Sequence, residues 1–223
     1  MPSKLNELLA ELRSVLGGRL LDAILPPIIF LLINAVMGLN TAILGSLGLA
    51  LLFTVIRLWK KQPLRFALAG TVSVLLAIGL VWLLGRAEGY FLPGVISTGI
   101  TAFLCLISLL AKRPLTAWSS FLARRWPLGW YWHPQVRPAY SETTLLWTIF
   151  FGLKLIWQGT LFQSGQANTL AWVQTITGWP ALIALLIVTY LYGIWRLRKL
   201  NGPSVDEFIA NAPQPWVGQQ RGF

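Results

Sequence analysis

Three side chains of this 223-residue chain set a strongly polar group in an apolar neighbourhood: Lys154, Gln158 and Asn34. Lys154 and Gln158 stand four apart, so a helix carries them on one face, with Phe150, Phe151 and Trp157 nearby. Counted from Leu145, Lys154 is nine residues into its apolar segment. At about 1.5 Å per residue that is close to the middle of a bilayer. An ammonium at that depth costs about 2.5–3.5 kcal/mol, so it needs a partner and must face protein or water. The chemistry this allows is an anion or proton site. The alternative is a neutral or snorkelling lysine satisfied by Asn34, a backbone carbonyl or a lipid phosphate.

Other constellations point to less. Ser97, Thr101, Cys105 and Ser108 make a small, weakly polar stripe, which lines a solute path or, more simply, lets helices pack closely in lipid. Ala42, Ser46 and Ala50 repeat that spacing. Arg86 and Glu88 flank a short loop, where an ion pair is worth under about 1 kcal/mol. Asp22 and Glu142 lie beside basic residues and are expected to pair with Arg19 or Arg137. No two carboxylates share a helix face, which argues against acid–base hydrolysis. His133 is the only histidine and Cys105 the only cysteine. That leaves no metal site, no disulfide and no haem ligand within the apolar segments, and no cofactor is expected.

The elements that must position these residues follow from composition. With 56% hydrophobic and 11% charged residues, the chain is too apolar for a soluble domain. Six windows of about twenty apolar residues are legible, the length a helix needs to cross hydrocarbon. They run Leu20–Gly38, Thr41–Leu58, Phe66–Leu84, Pro93–Ala111, Leu145–Phe162 and Trp172–Trp195. All but two of the 18 Lys and Arg residues fall before the first window or at or beyond the ends of the second, fourth and sixth. The exceptions are Arg86 and Lys154. The positive-inside rule then places both termini in the cytoplasm. The net charge of +11 is accounted for by topology and by anionic headgroups, so nucleic acid is not an expected partner.

The expected fold is therefore an all-α integral membrane protein with six transmembrane helices. A 51-residue echo supports three repeated helical hairpins: Ile56, Leu58, Lys61, Pro63 and Leu64 recur as Ile107, Leu109, Lys112, Pro114 and Leu115. Residues 1–18 read as a short amphipathic helix, with Leu5, Leu8, Leu9 and Leu12 on one face; it lies on the membrane surface or against the protein's own helices. Pro26-Pro27 in the first window would kink it or make a hinge. Residues 19–200 form the membrane domain. Within it, 112–144 is a loop whose Trp118, Arg124, Arg125, Trp126, Trp130, Trp132 and Arg137 suit the headgroup layer. Residues 201–223, rich in Gly and Pro, read as a flexible cytoplasmic tail.

The run Gly85-Arg86-Ala87-Glu88-Gly89-Tyr90-Phe91-Leu92-Pro93-Gly94, with Arg113-Pro114-Leu115, Arg137-Pro138-Ala139-Tyr140 and Gly178-Trp179-Pro180, resembles the bacterial membrane family called domain of unknown function 3159. The likeness covers roughly residues 17–200. Its most specific part is the outer-loop run with Arg86, Glu88, Phe91, Pro93 and Gly94. The resemblance implies a bacterial inner-membrane protein without assigned activity. It also implies that Arg is common where this chain has Lys154, which weakens a proton-switching role. The hairpin exits ending in Pro-Leu are more distantly similar to the intracellular septation protein A family. The function expected is a non-enzymatic accessory or scaffold subunit that binds lipid and a membrane-protein partner or a second copy. The alternatives are a small anion transporter or channel with Lys154 in its path, and a lipid-acting enzyme using Asp22, Glu142 and Arg137.

Overall fold

In the computed structural model the described residues are 29–30, 32–34, 36–59, 64–219 and 222–223, the side chains at 39, 40, 57, 58 and 64–71 excepted. Among them every regular element is helical. The long helices are α1 (Leu39–Trp59), α2 (Leu64–Leu84), α3 (Leu92–Leu110), α6 (Arg137–Gln163) and α8 (Trp179–Leu200). The short ones are α4 (Leu115–Arg124), α5 (Leu128–Tyr131), α7 (Ala167–Ile176) and α9 (Val205–Ile209), with a 3₁₀ turn at Ala87–Phe91. The expected helix over residues 1–18, Pro26-Pro27 and most of the first window lie outside the described residues.

Windows two to four coincide with α1, α2 and α3 to within about two residues, because a helix satisfies the backbone N–H and C=O groups of a long apolar run within the segment itself. The fifth lies inside the longer α6. The sixth is interrupted: a turn at Thr177 and Gly178 separates α7 from α8. Three helical stretches among the described residues are long and apolar enough to cross a membrane: Ala87–Leu110, Arg137–Gln163 and Ala167–Leu200. Their side chains agree, since Leu153, Ile156 and Leu191 are 64%, 66% and 62% exposed. Such exposure of clustered large apolar groups fits a membrane protein, whose surroundings there are hydrocarbon.

The chain divides into two compact units, Met1–Val95 with Gln158–Trp179, and Ile96–Trp157 with Pro180–Phe223. In the first, α1 packs on α2 and the 3₁₀ turn on both α2 and α7. The core stacks Phe30 on Tyr90 at 4.3 Å, with Phe91 edge-on to both. Ala42, Val81, Leu170 and Ala171 fill the space around them. Ser46 is fully buried and its hydroxyl bonds to the Ile43 carbonyl, so the Ala42-Ser46-Ala50 stripe is a packing face.

In the second unit α4, α5, the opening turns of α6 and the tail enclose an aromatic core. Trp130, Tyr131 and Tyr140 are all fully buried. The 112–144 segment is folded into short helices around this core. Trp130 is a correction to its expected interfacial role, because its indole N–H donates to the Pro203 carbonyl at 2.8 Å and its ring packs on Tyr131 and Tyr140. Thr116 ties α4 to α6: its hydroxyl lies 2.8 Å from the Tyr140 carbonyl, 3.0 Å from Thr143 Oγ1 and 2.8 Å from Thr144 Oγ1.

The tail also departs from expectation. Ser204 caps α9 and Glu207 reciprocates, a complete capping box. Glu207 then accepts the N–H groups of Val217 and Gly218 at 2.7 and 3.3 Å, closing the following segment into a loop. Phe223 stacks on Tyr140 at 4.3 Å. Gly and Pro, which by composition read as flexibility, here serve tight packing: Gly202 and Gly218 are both buried.

Candidate functional site

Helix α6 presents Lys154 half-buried and, one turn on, Gln158 at 1% exposure. Among the described residues neither Nε2 nor Oε1 of Gln158 has a hydrogen-bond partner. The amide is thus bonded to neither Lys154 nor Asn34, and the expected three-residue constellation is not joined through it. Asn34 is half-buried in the helical stretch ahead of α1, where its carbonyl accepts the Gly38 N–H. A buried amide left without partners costs on the order of 1–3 kcal/mol. Gln158 is therefore the residue of this set whose buried side chain the fold leaves unsatisfied.

The stripe on α3 resolves differently. Thr101 donates to the Ser97 carbonyl and Ser108 to that of Cys105, while Ser108 Oγ accepts the Leu115 N–H at the start of α4. These hydroxyls are spent within the chain and Cys105 is fully buried, so the stripe serves packing.

The 86–94 run is a clamp within the first unit. Arg86 lies over the Phe162 ring at 5.0 Å rather than pairing with Glu88. Glu88 is buried at 6% and points toward Gly165, whose Cβ would stand 3.8 Å from its Oε1. Phe91 offers its carbonyl to Gln174 Nε2 at 2.9 Å. Gly94 leaves the room: a Cβ there would meet the Gln174 amide at 2.7 Å. Pro93 fits the first turn of α3, where its missing N–H has no helical partner to lose. Phe91 and Gly94 thus seat Gln174 of α7, Glu88 faces the turn ahead of α7, and Arg86 covers the end of α6.

Glu142 does not pair with Arg137. Its oxygens accept Nε and Nη2 of Arg196, each at 2.7 Å, and the Tyr192 hydroxyl, also at 2.7 Å. Tyr192 and Arg196 are one turn apart on α8, so this fork clamps α8 to the opening of α6. A carboxylate held by a bidentate guanidinium and a phenol is a poor general base. Further along the same pair of helices, Trp147 donates to Thr189 Oγ1 at 2.8 Å. Asp22 lies outside the described residues.

The predicted interfacial side chains other than Trp130 lie on or near the surface of the second unit. Trp118 and Arg125 are exposed; Arg124, Trp126, Trp132 and Arg137 are half-buried. The cations lie over rings: Arg113 on Trp132 at 4.5 Å, Arg124 on Trp126 at 4.7 Å, Arg125 on Phe121 at 6.0 Å and Lys199 on Trp195 at 5.2 Å. His133 is wedged edge-on against Phe208 and Trp216, and burial pushes its imidazole below the usual range. Among the described residues no group of three His, Cys, Asp or Glu side chains could hold a metal.

The features missed from sequence are Arg196 and Tyr192 as partners of Glu142, Gln174 as partner of the motif, and Glu207 as organiser of the tail. Only the last had a local signal, the Ser-x-x-Glu spacing of a capping box. No curated protein and no solved structure matches the chain. A family model does match, over residues 16–199, and covers α1 to α7 and nearly all of α8. The chain belongs to the protein family of unknown function DUF3159.

Proposed function

We propose that this chain is a non-enzymatic accessory or scaffold subunit of the bacterial inner membrane. In this reading it crosses six times as three hairpins, with both ends cytoplasmic, and docks other membrane components on its second unit. The observation that carries it is the use made of the polar side chains there. Glu142, Tyr192, Arg196, Thr116, Trp130 and Glu207 are all committed to joining one element to another. What remains outward is a surface of cations stacked on aromatic rings, suited to binding rather than turnover. The test is mild extraction of a tagged chain from its native membrane, followed by mass spectrometry of what stays bound. A stoichiometric membrane protein supports the scaffold; a chain that emerges with lipid alone refutes it.

One observation favours a second reading, a small transporter or channel: the buried, unpartnered amide of Gln158, one turn from Lys154. Gln158→Leu separates the two. Loss of anion flux in reconstituted vesicles with unchanged folding supports a solute path. A variant that melts higher and changes no flux marks the amide as a structural cost only. The lipid-acting enzyme has less support, since Glu142 is held by Arg196 and Tyr192.

A further inference from the structure

Helix α4 has a definable depth. Thr116 fastens its first turn to Tyr140, Thr143 and Thr144, in the opening turns of α6. Helix α6 has 27 residues, so it is about 40 Å long and exceeds a hydrocarbon core of about 30 Å by roughly two turns. The excess is at its start, where the sequence Arg137-Pro-Ala-Tyr-Ser-Glu-Thr-Thr is polar and the apolar run begins at Leu145. At its other end the apolar run reaches Phe162, one residue short of the helix terminus. Thr116 therefore holds α4 beside the overhang, level with the headgroups. The connection from α3 agrees, because only residues 111–114 separate the end of that span from α4.

The outward side of α4 matches that level. Trp118 is 40% exposed and Leu122, one turn on, 62%. Trp118 touches Trp132 at 5.8 Å and Phe121 at 6.2 Å, while Arg113 lies over Trp132 and Arg125 over Phe121. Ring contacts thus join Arg113, Trp132, Trp118, Phe121 and Arg125 into one strip with a cation at each end. Between Ala111 and Ser141 the sequence has five Lys or Arg residues and no Asp or Glu, so the charge is not compensated locally. The backbone N–H groups of residues 115, 116 and 117 are already taken by Ser108, Thr144 and Pro114, which leaves the arginines as the donors for an incoming anion.

We propose that this strip is a binding surface for anionic phospholipid, with Trp118 and Leu122 among the acyl chains and Arg113 and Arg125 each on a headgroup phosphate. Ten residues of helix, about 15 Å, separate the two cations, so they engage two lipid molecules rather than one. The proposal rests on the membrane reading given above, and names what one face of that unit binds.

The experiment uses the full chain in mixed micelles containing equal phosphatidylglycerol and phosphatidylcholine, read by native mass spectrometry. The wild type is expected to retain up to two phosphatidylglycerol molecules in preference to phosphatidylcholine. Arg113→Gln with Arg125→Gln is expected to weaken that retention about fivefold for each cation removed. Arg113→Lys with Arg125→Lys keeps the charge and is expected to keep most of the lipid, which separates headgroup binding from a folding defect. Competition by inorganic phosphate at millimolar concentration would place the site on free anion and overturn the proposal. So would unchanged retention in the double Gln variant, or an equal loss in Arg198→Gln, an exposed cation outside the strip. The tagged extraction is repeated on the double Gln variant: a protein partner that survives loss of the lipid leaves the scaffold standing, and a partner lost while lipid stays makes the strip a protein interface.

Discussion

Replacing Gly193 by Ala is expected to release the tail from the second unit. Gly193 lies on the buried side of α8, where a Cβ would overlap the ring of Phe223. The Cβ is fixed to the helix and cannot yield, so the ring must leave. Phe223 is 8% exposed and stacks on Tyr140 at an interplanar angle of 14°. Burial of a Phe side chain contributes about 1.5–3 kcal/mol and ring stacking a further ~0.5–1.5 kcal/mol. Eviction therefore costs roughly 2–4 kcal/mol of tail docking, which raises the open fraction roughly 30- to 1,000-fold. Hydrogen exchange followed by mass spectrometry reads this directly, since the amides of Val217 and Gly218 are held by Glu207 in the docked tail. Phe223→Ala must match Gly193→Ala in the same peptides, as both act through one seat. Exchange within twofold of wild type in Gly193→Ala, or a disagreement between the two variants, would refute the reasoning.

Three further outcomes are expected. Hydrogen bonds from Ser204, Val217 and Gly218 hold the Glu207 carboxyl down at about 2, below its ordinary 4.5. Its contribution to tail docking is therefore complete above the ordinary value and lost as pH falls from there through about 2. Tail exchange, corrected for intrinsic rates, should rise over that window in wild type and stay flat in Glu207→Gln. Trp130→Phe removes the indole bond and strands the buried Pro203 carbonyl, with a loss of about 1–3 kcal/mol to be read from denaturant unfolding of the second unit in micelles. Gly89→Ala sets a Cβ 2.8 Å from the Leu80 carbonyl oxygen and 2.9 Å from Val81 Cα, both backbone, and should destabilise the first unit by about 1–3 kcal/mol in a thermal melt.

Long apolar runs were readable because a helix satisfies their backbone N–H and C=O groups within the segment itself, which is why α1, α2 and α3 fall where the windows put them. The folding of the 112–144 segment into short helices was not, since Trp and Arg interleaved in sequence do not say which rings pack inward. The difference lies in partners such as Pro203, 73 positions from Trp130. Glu142 illustrates the same limit: Arg137 is near in sequence, but Arg196, 54 positions away, takes the carboxylate. Lys154 and Gln158 were legible as polar residues in an apolar helix. That Gln158 is buried without partners depends on neighbours no local pattern reveals. The capping box at Ser204 and Glu207 has a local Ser-x-x-Glu signal, set among Gly and Pro residues whose usual meaning is a loose tail.

The interleaving of the two units sets an order of assembly. The first unit is begun by residues up to Val95 but closed only by Gln158–Trp179. Gln174, which bonds the Phe91 carbonyl, follows it by 83 positions. At roughly 5–20 residues per second, that interval is about 4–17 s of synthesis. Throughout it, Tyr90 and Phe91 lack Leu170 and Ala171 as neighbours, while most of the second unit is already being made. The unit started earlier thus stays half-built until α7, which carries Gln174, has been made. A nascent chain halted near Trp157 would hold an open aromatic seat around Tyr90 and Phe91 that α7 has yet to close.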